Sequence, residues 1–154
     1  MLKLFNRGKN PADEPPGDPV DIHWVRNNKG RFHNIIRLDT VSEGLRDRGG
    51  VYVLFHGGIK PEWLYVGFSS DLGRQIDPLI DDPRLEEYYN RGGVYVTWAF
   101  VADEFRHGIV RYMTEKLKPL LDNPAARPLC KGPDRVVPIA VYAPGREPHS
   151  DHAA

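Results

Sequence analysis

With 154 residues, 40% of them apolar, the chain has room for one domain with a core of its own. Its 21 basic residues balance its 21 acidic ones, which excludes a net field drawing the protein onto a polyanion or an acidic membrane, so any nucleic-acid contact must come from a local patch. A single cysteine, Cys130, excludes an internal disulfide, and the chain shows neither a signal peptide nor an apolar span able to cross a bilayer, so a cytoplasmic location is expected.

Residues 1–20 are Pro-rich and residues 144–154 are rich in Pro, Gly and charge. Neither has periodic apolar residues with which to offset its ordering entropy, and both are expected to be flexible around one domain at 21–143. From Asp21 to Leu38, "IHWV", the turn signal "NNKG" and "RFHNIIRL" predict a hairpin. Thr40-Val-Ser-Glu43 has capping-box spacing and predicts a short helix to about Asp47, ended by Gly49 and Gly50. Val51–Phe55 and Trp63–Phe68 are β-branched and aromatic, with "HGGIKPE" between them, and predict an antiparallel pair. A helix capped by Ser69 or Ser70 should begin at Asp71 and be kinked or restarted at Pro78, followed by a short helical piece in "PRLEEYY". Val94–Val101 reads as a strand. Asp103 opens the longest helix, with Phe105, Ile109, Met113 and Leu117 in one stripe and Pro119 as its stop. "RVVPIAVYA" reads as an edge strand, because Pro138 cannot donate to a central ladder. The motif "GGVYV" occurs at Gly49 and again at Gly92, two strand entries each opened by a glycine pair. The fold class is α+β, a small mainly antiparallel sheet flanked by helices.

Gly50-Val51-Tyr52, then Leu64-Tyr65-Val66-Gly67, then Ser-Ser-Asp71-Leu72, then "VRYMTEKLKPLLDN" closing a helix: the order and spacing resemble the GIY-YIG nuclease superfamily over residues 49–123. The resemblance implies cleavage of a DNA phosphodiester with one divalent cation. Tyr52 and Tyr65 would be the motif tyrosines, helping to activate water and to orient groups at the phosphate. A phenol becomes a usable base only where its neighbours favour the ionised form. Gly67 would let the backbone approach the phosphate, with Gly50 at the head of the motif. Three positions depart from the family pattern. The family's arginine, eight residues beyond the motif glycine, falls on Gln75; Arg74 is adjacent but turned by about 100° on a helix. The family's glutamate metal ligand falls on Val110, and valine offers a hard cation no oxygen. Phe68 stands where a small polar or basic residue is common. Asp77, Asp81, Asp82, Glu86 and Glu87, with Arg84 the only nearby cation, would repel a phosphate backbone locally.

Taken without the family, Tyr52 and Tyr65 are aromatic residues of a half-buried sheet, Arg74 is a solvated helix charge, and Trp24, Trp63 and Trp98 are core or interface anchors. Cys130 lacks a neighbouring histidine or second cysteine to make it a nucleophile, and His149 and His152 alone are a weak metal signal. The expectation is therefore a GIY-YIG-like domain without nuclease activity, a binding module whose partner is another protein and whose DNA binding is weak. No membrane and no cofactor are expected. Mg²⁺ or Mn²⁺ would be needed only in the alternative, a divergent endonuclease using Arg74 and a relocated carboxylate such as Glu104. A non-cleaving nucleic-acid-binding protein is the further alternative.

Overall fold

The computed structural model describes residues 16–57, 62–124 and 136–148. Most of the Pro-rich start, the Cys130 loop and the His149/His152 pair lie outside the described residues. Three long strands build the sheet. Strand β2 (Gly50–His56) pairs antiparallel with β3 (Glu62–Ser69) on one side and with β4 (Val94–Phe100) on the other, and a two-residue β1 (His33–Asn34) lies on the outer edge of β4. The order β1-β4-β2-β3 makes this a four-stranded antiparallel sheet, and the class is α+β. Helices α1 (Leu72–Ile76), α2 (Glu86–Tyr89) and α3 (Asp103–Leu117) flank it, with 3-10 turns at Asp77–Asp81 and Pro83–Leu85.

Side chains alternate along β2, so the sheet carries two cores. Tyr52 and Leu54 face Leu72, Ile76, Leu79 and Leu85 of the segment after β3, while Val51 and Val53 face Ile109, Val110 and Met113 of α3. The α3 stripe is rotated from its expected line: Ile109 and Met113 are buried and Leu117 half-buried, but Phe105 remains 48% exposed. Lys118 in the left-handed region (φ 50°) ends the helix just before Pro119.

Three expected elements form differently. The Asn27–Gly30 turn is present, held by the Asn27 side chain, which accepts from the amides of Lys29 and Arg31. Its arms, however, bond to β4 rather than to each other along their length: the Val25 amide donates to Trp98 O at 2.9 Å, and β1 pairs with Tyr95 and Val96. Residues 40–47 form turns, not a helix. Asp39, one residue earlier, takes the amides of Val41 and Ser42, while the Thr40 hydroxyl donates instead to Asp77 at 2.7 Å, so the capping box is never made. Residues 136–142 cross α3 with one parallel bridge, Val20 to Val141, and not as a ladder strand; the Ile139 amide donates to Gly108 O at 3.0 Å. The helix after β3 is capped by Asp71, whose carboxylate accepts from the Arg74 amide at 3.0 Å, rather than by a serine. Ordered contacts continue past both margins of the expected domain, since Val20 bridges to Val141, Pro144 is buried and Glu147 pairs with Arg26 at 3.5 Å.

Candidate functional site

The motif tyrosines meet on the sheet face opposite α3. Tyr52 pairs across the strands with Gly67, and Tyr65 with Leu54, which brings the two rings to a centroid distance of 6.2 Å. A Cβ on Gly67 would stand 2.6 Å from Tyr52 Cζ and would also strike the Asn123 amide. The glycine is therefore required here as the seat of the Tyr52 ring. Gly50 serves close packing too, because a side chain there would run into the Ala99 carbonyl of β4. The second glycine pair does use unusual backbone angles, with φ of 109° at Gly92 and 82° at Gly93.

Tyr52 is fully buried. Its hydroxyl accepts from Asn123 Nδ2 at 2.9 Å, and the Gln75 side chain lies beside it. Burial is the largest influence on its acidity and pushes the phenol well above its ordinary value, with the neighbouring Tyr65 adding to the rise and the hydrogen bonds opposing it. Asn123 reaches this spot because the chain after α3 runs along the outer edge of β3. The Leu120 and Leu121 amides donate to the carbonyls of Trp63 and Leu64 at 3.0 and 2.9 Å, and Asn123 Nδ2 also reaches Val66 O at 3.4 Å. The same contacts cover an edge that would otherwise be open to pairing.

Tyr65, 5% exposed, is covered by Arg84. That guanidinium lies 5.3 Å from the ring centroid and 3.4 Å from the hydroxyl, while bonding Asp82 at 2.9 Å and the Asp122 carbonyl at 2.8 Å. The Arg84 hydrogen bond holds the Asp82 carboxyl below its ordinary range. Sequence reasoning saw Arg84 only as an isolated cation in an acidic stretch; its approach to Tyr65 depends on the 3-10 turn at Pro83, for which the sequence offers no spacing rule.

The remaining candidates are dispersed. Gln75, at the counted arginine position, does reach the Tyr52 hydroxyl, whereas Arg74 is exposed and contributes its amide to the Asp71 cap. Phe68 turns to the other face, where its ring packs on His107 at 4.3 Å. Val110 is fully buried among Val51, Val53, Val66, Ala99 and Met113, on the α3 side of the sheet. The tyrosines and the expected metal-ligand position thus belong to different cores. Among the described residues no cluster of three or more histidine, cysteine or acidic side chains is arranged to hold a metal ion, and no helix is long and apolar enough to cross a membrane.

Comparisons of the chain with protein-family models, with curated proteins and with solved structures find no match. Fold and site together define a small α+β domain whose paired strand tyrosines are enclosed by Asn123, Gln75 and Arg84. The likeness to GIY-YIG nucleases rests on the motif residues themselves.

Proposed function

We propose that the chain is a GIY-YIG-like domain that does not cleave phosphodiesters and works in the cytoplasm as a binding module, with another protein as its principal partner. The observation that carries this reading is the enclosure of Tyr52. A general base must be ionised and within reach of the attacking water, yet the Tyr52 hydroxyl is buried, hydrogen-bonded on the inside and shifted away from ionisation. An unperturbed phenol is ionised in only about one molecule in a thousand at pH 7, and the direction of this shift lowers that fraction. Val110 supplies no ligand and faces the opposite core. A neutral overall charge supports a protein partner over extended contact with duplex DNA.

A second reading, a divergent metal-dependent endonuclease, has Arg84 in its favour, since this cation stands at Tyr65 where a phosphate could be received. Asp82 already neutralises it. The test is incubation of the full chain with supercoiled, branched and single-stranded DNA in Mg²⁺ or Mn²⁺. No cleavage is expected; cleavage abolished by Tyr65→Phe would overturn the proposal.

A further inference from the structure

A cleft of about 730 Å³ opens between the Asn27–Gly30 turn and the end of the sheet, lined mostly by residues ahead of the span that resembles the nucleases. Three arginines (Arg26, Arg31 and Arg37) and three aromatic rings (Phe32, Phe55 and Tyr95) line it, and no acidic or aliphatic side chain does so among the described residues. Two of the rings form a floor, and the third stands on edge beside it. Phe55 lies 5.9 Å from Tyr95 at an interplanar angle of 23°, and Phe32 meets Phe55 edge-on at 5.3 Å. The strand bulge at Leu54/Phe55 and the cross-strand pair Phe55–Tyr95 hold this floor on the sheet. Arg26 is fixed over Phe32 at 4.2 Å, donates to Gly30 O at 3.2 Å and is paired with Glu147. The side chains of Arg31 and Arg37 are exposed and make no hydrogen bond or ion pair with the described residues.

We propose that this cleft binds single-stranded nucleic acid, with a base stacked on the Phe55–Tyr95 floor and the adjoining phosphates on Arg31 and Arg37. Base stacking on aromatic rings beside cationic side chains is the physical pattern of single-strand binding. A duplex would keep its bases stacked inside, out of reach of the floor. An acidic peptide would use the arginines equally well, but no aliphatic surface in the cleft is available for its apolar side chains. The site is independent of whether the motif tyrosines cleave anything, and the acidic stretch at Asp77–Glu87 keeps extended phosphate contact off the α1 side of the molecule.

The test is fluorescence anisotropy on the full chain with a labelled oligothymidylate or oligouridylate of about 12 residues at about 50 mM salt. EDTA is present so that any cleavage stays silent. Unlabelled AMP and a polyglutamate peptide serve as competitors. Saturable binding is expected, with AMP competing at least about tenfold more weakly than the strand, because it meets one stacking site and one phosphate contact. Arg31→Gln/Arg37→Gln should weaken binding by about fivefold or more and flatten the salt slope by about 1.4, two phosphate contacts at about 0.7 each. Lys116→Gln/Lys118→Gln, an equal loss of charge on the far end of α3, should leave it unchanged. Equal effects of the two double variants, or no binding of either oligonucleotide, would overturn the site. Polyglutamate competing as well as the strand would replace it with a peptide site, and AMP competing as well would overturn the assignment to a strand.

Discussion

Substituting Val110→Glu restores the acid that the nuclease pattern places there and asks whether the position can still serve a metal. Val110 has no solvent exposure and is enclosed by Val51, Val53, Val66, Ala99, Ile109 and Met113. The nearest cation along the helix, Arg111, already bonds Glu115 at 3.1 Å and Val136 O at 2.5 Å. Val110→Ala sets the apolar reference: two methyl groups at about 0.8 kcal/mol each, plus a cavity contribution, come to about 2 kcal/mol. A protonated carboxyl without a partner adds about 1–3 kcal/mol. Its proton is then held in the folded state and lost in the unfolded state above about pH 4.3, so instability grows by up to about 1.4 kcal/mol per pH unit until the raised pKa is passed. At pH 7 this linkage reaches about 3–4 kcal/mol, and the sum is comparable to the whole stability of a small domain, about 5–15 kcal/mol. Urea unfolding followed by tryptophan fluorescence at pH 5.5 and pH 8 should show Val110→Glu losing stability between the two, while Val110→Ala tracks the wild type. A Val110→Glu protein with the wild-type midpoint at both pH values and stabilised by Mn²⁺ would refute the assignment of Val110 to the packed core.

Gly67→Ala should lower stability by about 1–3 kcal/mol, because the new methyl meets Tyr52 Cζ at 2.6 Å, and the cost should shrink in a Tyr52→Phe background where the hydroxyl is gone; chemical denaturation of the four proteins gives the coupling. Tyr52→Phe alone leaves the Asn123 amide with only Val66 O at 3.4 Å and should cost about 1–2 kcal/mol at pH 7. Because the Tyr52 pKa is raised in the folded state, its contribution is present below about pH 10 and is lost as pH rises beyond the unfolded value, so the gap between wild type and Tyr52→Phe should narrow between melting curves at pH 8 and pH 11. A gap that stays constant would contradict the burial of that hydroxyl.

What the sequence announced, it announced through local chemistry. The runs Val51–Phe55 and Trp63–Phe68 became β2 and β3 because β-branched and aromatic residues between glycines have no better use than a pleated sheet. Pro78 and Pro83 restarted the chain as 3-10 turns where they stand. The count of eight residues from Gly67 brought Gln75 to Tyr52, since strand and helix periods are fixed. Tertiary partners decided the rest. Thr40 is diverted from its capping role by Asp77, thirty-seven residues away. Residues 136–142 are drawn across α3, where Arg111 takes the Val136 carbonyl. Arg84 and Asn123 reach the tyrosines only after the chain has folded around β3, so nothing near either tyrosine in the sequence foretells them.

The division into two cores limits what any single substitution can restore. Tyr52 and Val51 are neighbours in β2 and therefore face opposite sides of the sheet; Tyr52 meets Tyr65, Leu72 and Ile76, and Val51 meets Val110. A carboxylate at position 110 would thus enter the α3 core, and the tyrosines would still be bonded to Asn123 and Arg84. Cleavage by the nuclease pattern would require the α3 contact to shift as well as an acid at position 110, whereas the proposed binding requires neither. The segment from Val25 to Arg37, which adds β1 to the sheet and carries the arginines and Phe32 of the aromatic cleft, lies outside the nuclease-like span altogether. It can change its ligand without disturbing Tyr52, and a domain that works by binding rather than by cutting would vary there.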